Sequence, residues 1–298
     1  MSTGWQNFLE LETEVVLHGF PGTDKNGLRL EASGVCVYKN SFVVVCDDRP
    51  GFIRVGADLS PSHQDNTASW LSSDRLGFED IAWSENSQCF YALIEAEKRR
   101  NHEYQPRIET YNQEFQLTEK ARWIDLELKS KNKGLEGITC VQHNGQEYLF
   151  GLCEGNDCKK GKAGAAPGTG RLIVFQRAGK EWVKVKDLNI PMTAFFEDYA
   201  AVDIRDQRVL VVSQASSAVW VGTIDLNILS LVGQGAVWNF PPGDGEEKSY
   251  CNVEGAAWIG QDRIVAVSDK RKATDPHSCE ERERMIHIFR FPAGFSPA

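Results

Sequence analysis

Five segments of this chain repeat one another at wide intervals, and internal repetition limits the possible folds more than any local feature does. They are Leu30-Glu-Ala-Ser-Gly-Val-Cys, Phe78-Glu-Asp-Ile-Ala-Trp, Leu135-Glu-Gly-Ile-Thr-Cys, Phe196-Glu-Asp-Tyr-Ala-Ala and Val253-Glu-Gly-Ala-Ala-Trp. Each places an apolar residue before a glutamate: Glu31, Glu79, Glu136, Glu197 and Glu254. Three residues after each glutamate stands a small side chain (Gly34, Ala82, Thr139, Ala200, Ala257), as a crowded inner strand near an axis requires.

Every repeat continues in the same way. A second apolar run follows (Phe42 to Cys46, Phe90 to Ile94, Tyr148 to Leu152, Val209 to Ser213, Ile264 to Ser268), then an alternating third run and, in four repeats, a fourth. These short β-branched and aromatic runs are bounded by Gly, Asp, Asn and Pro, the punctuation of strands. Four strands per unit, repeated radially, describe a β-propeller. The last repeat runs out near Phe291, while a spare strand near residues 14–18 precedes the first. Pairing the two closes the ring and covers a sheet edge. The expectation is an all-β, five-bladed propeller over residues 1–298, one domain, with its last blade completed by the N-terminal strand. Two stacked β-sandwiches, the rival, would not need a glutamate at every boundary.

A net charge of −9 disfavours nucleic acid and anionic membrane as partners, since both repel an acidic surface. No apolar run reaches the ~18–20 residues of a membrane span. The N-terminal segment lacks the pattern of a secretory signal, and a cytoplasmic monomer is expected. Of eight cysteines, Cys36, Cys46, Cys89 and Cys140 lie in or beside apolar strands and read as reduced core residues. Cys153 with Cys158, and Cys251 with Cys279, lie in or near loops, where a bridge or metal site is the less expected alternative to free thiols.

In a propeller blade the start of the first strand and the end of the second share a face. The glutamates mark the first position. Asp47 and Asp48, Glu95, Glu154, Gln214 and Asp269 mark the second. The loops that follow carry Arg49, Lys98 to Arg100 (with Arg99), Lys159 and Lys160, and Lys270 to Lys272. This describes an acidic throat under a basic rim. Carboxylates ~6 Å apart repel by about 3 kcal/mol per pair at an effective dielectric near 20. Such a ring must protonate, bind a cation or turn aside to backbone amides. Oxygen ligands without His or Cys suit Ca²⁺ better than Mg²⁺; a structural ring bonded to amides and water, and a protonated carboxylate network for acid–base chemistry, are the other options.

At these residues the chain resembles known propellers. Glu254-Gly-Ala-Ala-Trp is similar to the repeat of gluconolactonase-type and bacterial esterase-like propellers, and Phe78-Glu-Asp-Ile resembles the calcium-binding segment of paraoxonases. The blade count and Val45-Cys-Asp-Asp-Arg look more like the five-bladed calcium-activated nucleotidases (apyrases). That resemblance implies calcium held in the tunnel by Glu31, Glu79, Glu136, Glu197 and Glu254. It also implies a phosphate-bearing substrate near Asp47, Asp48 and Arg49.

The functional expectation is a Ca²⁺-dependent hydrolase for an anionic or ester-like small molecule. Asp48, Glu95, His102 or His277 would serve as the base, and Asp47, Arg49, Arg99, Glu154, Gln214, Asp269 and Lys270 would hold the substrate. The rivals are a non-enzymatic scaffold that binds a protein and a small-molecule or lectin-like binding module. The segment 161–170 is rich in glycine but lacks the Gly-Lys-Ser/Thr ending of a phosphate loop, and reads as a flexible loop able to act as a lid. Without a Gly-x-Ser-x-Gly elbow, a serine hydrolase has no support. Trp83, Tyr199 and Trp258 read as packing residues.

Overall fold

A computed structural model describes residues 7–23, 30–72, 77–98, 104–128, 134–179, 181–243 and 248–295. The first four repeats each form an antiparallel four-stranded meander. The first is β2 (Ala32–Tyr38), β3 (Ser41–Cys46), β4 (Gly51–Gly56) and β5 (Thr67–Trp70). The second is β6 (Phe78–Ser84), β7 (Cys89–Lys98), β8 (Tyr104–Tyr111) and β9 (Leu117–Ile124); the third is β10 (Leu135–His143), β11 (Gln146–Cys153), β12 (Arg171–Ala178) and β13 (Glu181–Asn189). These two units meet at their outer edges, where β13 and β9 pair in parallel, and so count as one eight-stranded sheet. The fourth is β14 (Ala201–Arg205), β15 (Arg208–Ser213), β16 (Ala218–Asp225) and β17 (Ser230–Asn239).

The fifth sheet has three strands of its own, β18 (Val253–Ile259), β19 (Arg263–Ser268) and β20 (Met285–Arg290). Its outer strand comes from the opposite end of the chain: β1 (Glu10–Val16) pairs antiparallel with β20. The spare N-terminal strand thus closes the last sheet, a few residues earlier in the chain than its apolar run suggests. Glu14 fastens it. Its Oε2 lies 3.1 Å from Nδ1 of the fully buried His287, and its Oε1 takes Arg282 Nη1 at 3.1 Å.

First strands neighbour one another in the order β2, β6, β10, β14, β18 and back to β2. The apolar core lies between adjacent sheets, in clusters that each join side chains of two neighbouring units. Trp182, Trp220 and Trp258 are fully buried in it. Trp258 stacks on Phe291 at 5.3 Å, and Trp83 packs between Tyr38 and Phe90, so the sequence reading of both as packing residues agrees with their contacts.

The inner strands approach closely enough to demand glycine. A Cβ on Gly255 would lie 2.8 Å from both Gly34 Cα and Val35 N, backbone that cannot swing away. Gly255→Ala is expected to lower stability by about 1–3 kcal/mol through overpacking, read as a fall in the urea midpoint at unchanged m. An unchanged midpoint would mean that the strands part freely.

Candidate functional site

The ladder register decides which residues are equivalent. In four units it slips by one residue where the first strand begins. The extra residue is Glu79, Glu136 and Glu254 in the second, third and fifth units, but Ser33 in the first. In the fourth, Ala201 pairs with Val212 as Gly255 pairs with Val267, so Ala200 holds that position. Glu31 and Glu197 are therefore out of step with the other three, and Glu197 is exposed in a bend. The sequence motif aligned five glutamates; the hydrogen-bond ladder aligns three. A bulge re-aims a side chain and tightens the twist, and the three bulged carboxyls lie within electrostatic reach of one another around Glu136.

Around them stand Asp47, Asp48, Glu154 and Asp269 of the second acidic tier. Burial pushes the Glu136 carboxyl well up, and Glu79, Glu154 and Glu254 push it further by repulsion. Glu254 is raised by burial and by Asp269, Glu79 and Asp47, with Lys272 opposing. Burial takes Asp269 to about 7, with Glu31 and Asp48 adding to it. Asp48 is also raised by burial, while its Oδ1 accepts the Glu31 amide at 2.9 Å. The buried amide of Asn252 donates to Asp269 Oδ2 at 3.3 Å and to the Lys270 carbonyl at 2.7 Å.

The bases are committed to local partners. Lys270 pairs with Glu31; Lys272 Nζ donates to Gln214 Oε1 at 2.9 Å, and Gln214 Nε2 donates to Glu254 Oε1 at 2.9 Å. Arg49 stacks on Trp70 at 4.5 Å, and Lys159 pairs with Asp157 at 3.1 Å. The basic rim is mainly a set of neighbour pairs. His277 is 91% exposed and pairs with Glu280 at 3.5 Å, so nothing here aims it into the mouth. Arg99 and His102 lie outside the described residues, as does the side chain of Glu95.

Among the described residues, no group of three or more His, Cys, Asp or Glu is arranged to hold a metal ion. Amine and amide donors from Lys270 and Gln214 already occupy oxygens of Glu31 and Glu254. The carboxyls as placed do not fit the calcium cage that the motif suggests, and no chemical step is derived through a metal.

Two disulfides frame this mouth, Cys153–Cys158 just before Glu154 and Cys251–Cys279 just before Asn252. The sequence reading held a bridge at either pair to be the less expected alternative and left their status open. Cys36, Cys46 and Cys89 are free and buried, as their apolar strands suggested. The loop 161–170 is tied down: Asn156, itself buried, donates to the Gly164 carbonyl at 3.0 Å and accepts the Thr169 amide at 2.9 Å. These bonds remove the freedom a lid needs.

Sequence reasoning missed two aspartates inside the ring. Asp80 Oδ2 accepts the Ile138 amide at 2.7 Å, joining β6 to β10. Asp203 accepts Thr139 Oγ1 at 2.9 Å, its neighbour Ile204 N at 2.9 Å and Trp258 N at 2.8 Å, joining β14 to β10 and β18. The signal was an acid within an apolar inner run. A third arrangement imitates a hydrolytic triad: Ser268 Oγ lies 3.1 Å from His287 Nε2, with Glu14 on the other ring nitrogen. Ser268 is 2% exposed, so no substrate reaches it, and the group serves to fasten β1.

Among solved structures, the chain is similar to the glutaminyl cyclase of Myxococcus xanthus, with a TM-score of 0.55 at 11% identity over 96% of this chain and 97% of that one. The fold is a β-propeller. A PQQ-bound aldose sugar dehydrogenase of Streptomyces coelicolor aligns at a TM-score of 0.48 and 10% identity, over 93% of this chain and 98% of that one. No family model matches the sequence, and no curated protein matches it. At such identity the likeness concerns the fold alone.

Proposed function

We propose that the protein is a five-bladed propeller enzyme that hydrolyses a small ester-like molecule at the acidic mouth of its tunnel by acid–base chemistry. The blade count rests on the closed order of first strands and on core clusters between each neighbouring pair of sheets. The observation that carries the chemistry is Glu136, whose pKa burial and three neighbouring carboxyls raise well above the ordinary carboxylate range. A protonated acid beside a second carboxyl, Glu154, is the pairing that acid–base catalysis uses. Glu154 takes a proton from water as its oxygen attacks the carbonyl carbon. Glu136 gives a proton to the leaving oxygen as the C–O bond breaks. The Lys272–Gln214 chain orients Glu254 beside them.

The two disulfides favour an oxidising compartment over the cytoplasm. A panel of esters, lactones and phosphate esters tests the reading. Turnover should fall as pH rises and Glu136 loses its proton, and Glu136→Gln should slow it by about 10²–10⁴-fold and abolish that limb. Wild-type rates in Glu136→Gln, or no turnover across the panel, would sink it.

A further inference from the structure

The tunnel has a second end. Opposite the acidic mouth, each first strand contributes consecutive residues to a cavity of about 430 Å³ with Lys39, Glu85 and Arg205 at its rim. That volume lies within the ~300–1,000 Å³ of small-molecule sites. The ladder makes Cys36, Ala82, Thr139, Asp203 and Ala257 equivalent around this wall. Four blades place a small residue there. The fourth blade places a carboxylate.

We infer that this end of the tunnel binds a small organic cation of the ammonium type, held by Asp203. Two amides and one hydroxyl reach the Asp203 carboxylate, which leaves room for about one further donor among its four acceptor sites. Burial raises the Asp203 pKa, and these donors oppose that rise by stabilising the charged form. Arg205 directs Nη1 to the Trp258 carbonyl at 2.9 Å. The half-buried Trp83 supplies an aromatic wall, the surface that completes ammonium recognition beside a carboxylate. Burial raises the pKa of the Cys36 thiol on the same wall, and the Asp80 and Asp203 carboxyls raise it further. This site stands apart from the acidic mouth and does not depend on the chemistry proposed there.

Calorimetric titration of the full chain with choline, and with its neutral isostere 3,3-dimethylbutan-1-ol, tests the inference. Choline should bind at least about tenfold more tightly than the alcohol, because the two share the hydroxyl and differ only in the quaternary charge that faces the Asp203 carboxylate and the Trp83 ring. Asp203→Asn keeps the side-chain shape and removes the charge, and should erase that preference. Trp83→Leu should weaken choline several-fold and serves as the second variant if Asp203→Asn does not fold. Equal binding of the two ligands, no binding of choline, or a preference that survives Asp203→Asn would overturn the site. So would a preference abolished by Glu254→Gln instead, which would move the cation to the acidic mouth.

Discussion

Removing residues 1–16 should abolish the cooperative unfolding transition of this protein or move its urea midpoint down steeply. The deletion takes away β1, the outer strand of the fifth sheet, whose ladder with β20 runs from Glu10↔Arg290 to Val16↔Met285. It uncovers the β20 edge, where unpaired amides and carbonyls invite association with other chains. It also leaves His287, fully buried, without the Glu14 carboxylate on its Nδ1. Leaving a buried ring nitrogen without its partner costs about 1–3 kcal/mol, a sizeable share of the ~5–15 kcal/mol that holds a typical domain folded. A synthetic peptide of residues 7–19 should restore the transition when added to the truncated chain, since it supplies the missing strand. A truncated chain that unfolds at the wild-type midpoint would show that the ring does not need its closing strand.

The second large effect concerns the acidic mouth. Asp269 is raised to about 7, and Glu136 and Glu254 are held well above the ordinary carboxylate range. Each therefore keeps its proton in the folded protein at pH values where the unfolded chain has released it. Stability contributed in this way is present below the ordinary carboxylate pKa of about 4 and declines as pH rises through the folded value. His287 works in the opposite sense. Its pKa is lowered by burial, so its contribution is complete above about 6.5 and fades on acidification. The melting temperature alone mixes the two. The difference between Glu136→Gln/Glu254→Gln and wild type isolates the mouth, and it should grow by several degrees in favour of the variant between pH 5 and pH 8. Calcium separates the rival occupant of the site: a cation that displaced the protons would raise the wild-type melting temperature at pH 8 and leave the variant unchanged. A difference that stays flat with pH would mean that these carboxyls are not held protonated.

A variant that gains stability while losing turnover would place the cost of the site in repulsion among its own acids, the usual relation between a strained site and its scaffold.

Much of the architecture was legible because strand patterns are local. The β-branched runs ending at Cys46, Ser213 and Ser268 announce second strands, and each is followed directly by a polar residue, Asp47, Gln214 or Asp269. The missing fourth strand after Phe291 and the spare one expected near residues 14–18 predicted how the ends meet. Register was not legible. Glu31 and Glu197 satisfy the same motif as Glu79, Glu136 and Glu254, yet the ladder moves them two and three residues off the bulge. Nothing local in Leu30-Glu-Ala or Phe196-Glu-Asp separates them from the others, because a bulge depends on the partner strand.

The sequence by itself determined a ring of β-sheets, its closure by the N-terminal strand and an acidic face, since side-chain alternation and repeat spacing are properties of the chain. Tertiary structure alone decided that three of the five glutamates occupy equivalent bulges, that Cys153 meets Cys158 and Cys251 meets Cys279, and that Asp203 lines the far end of the tunnel. Those outcomes depend on pairing between residues distant in space or register, where one residue of slip carries a side chain from the mouth to the wall.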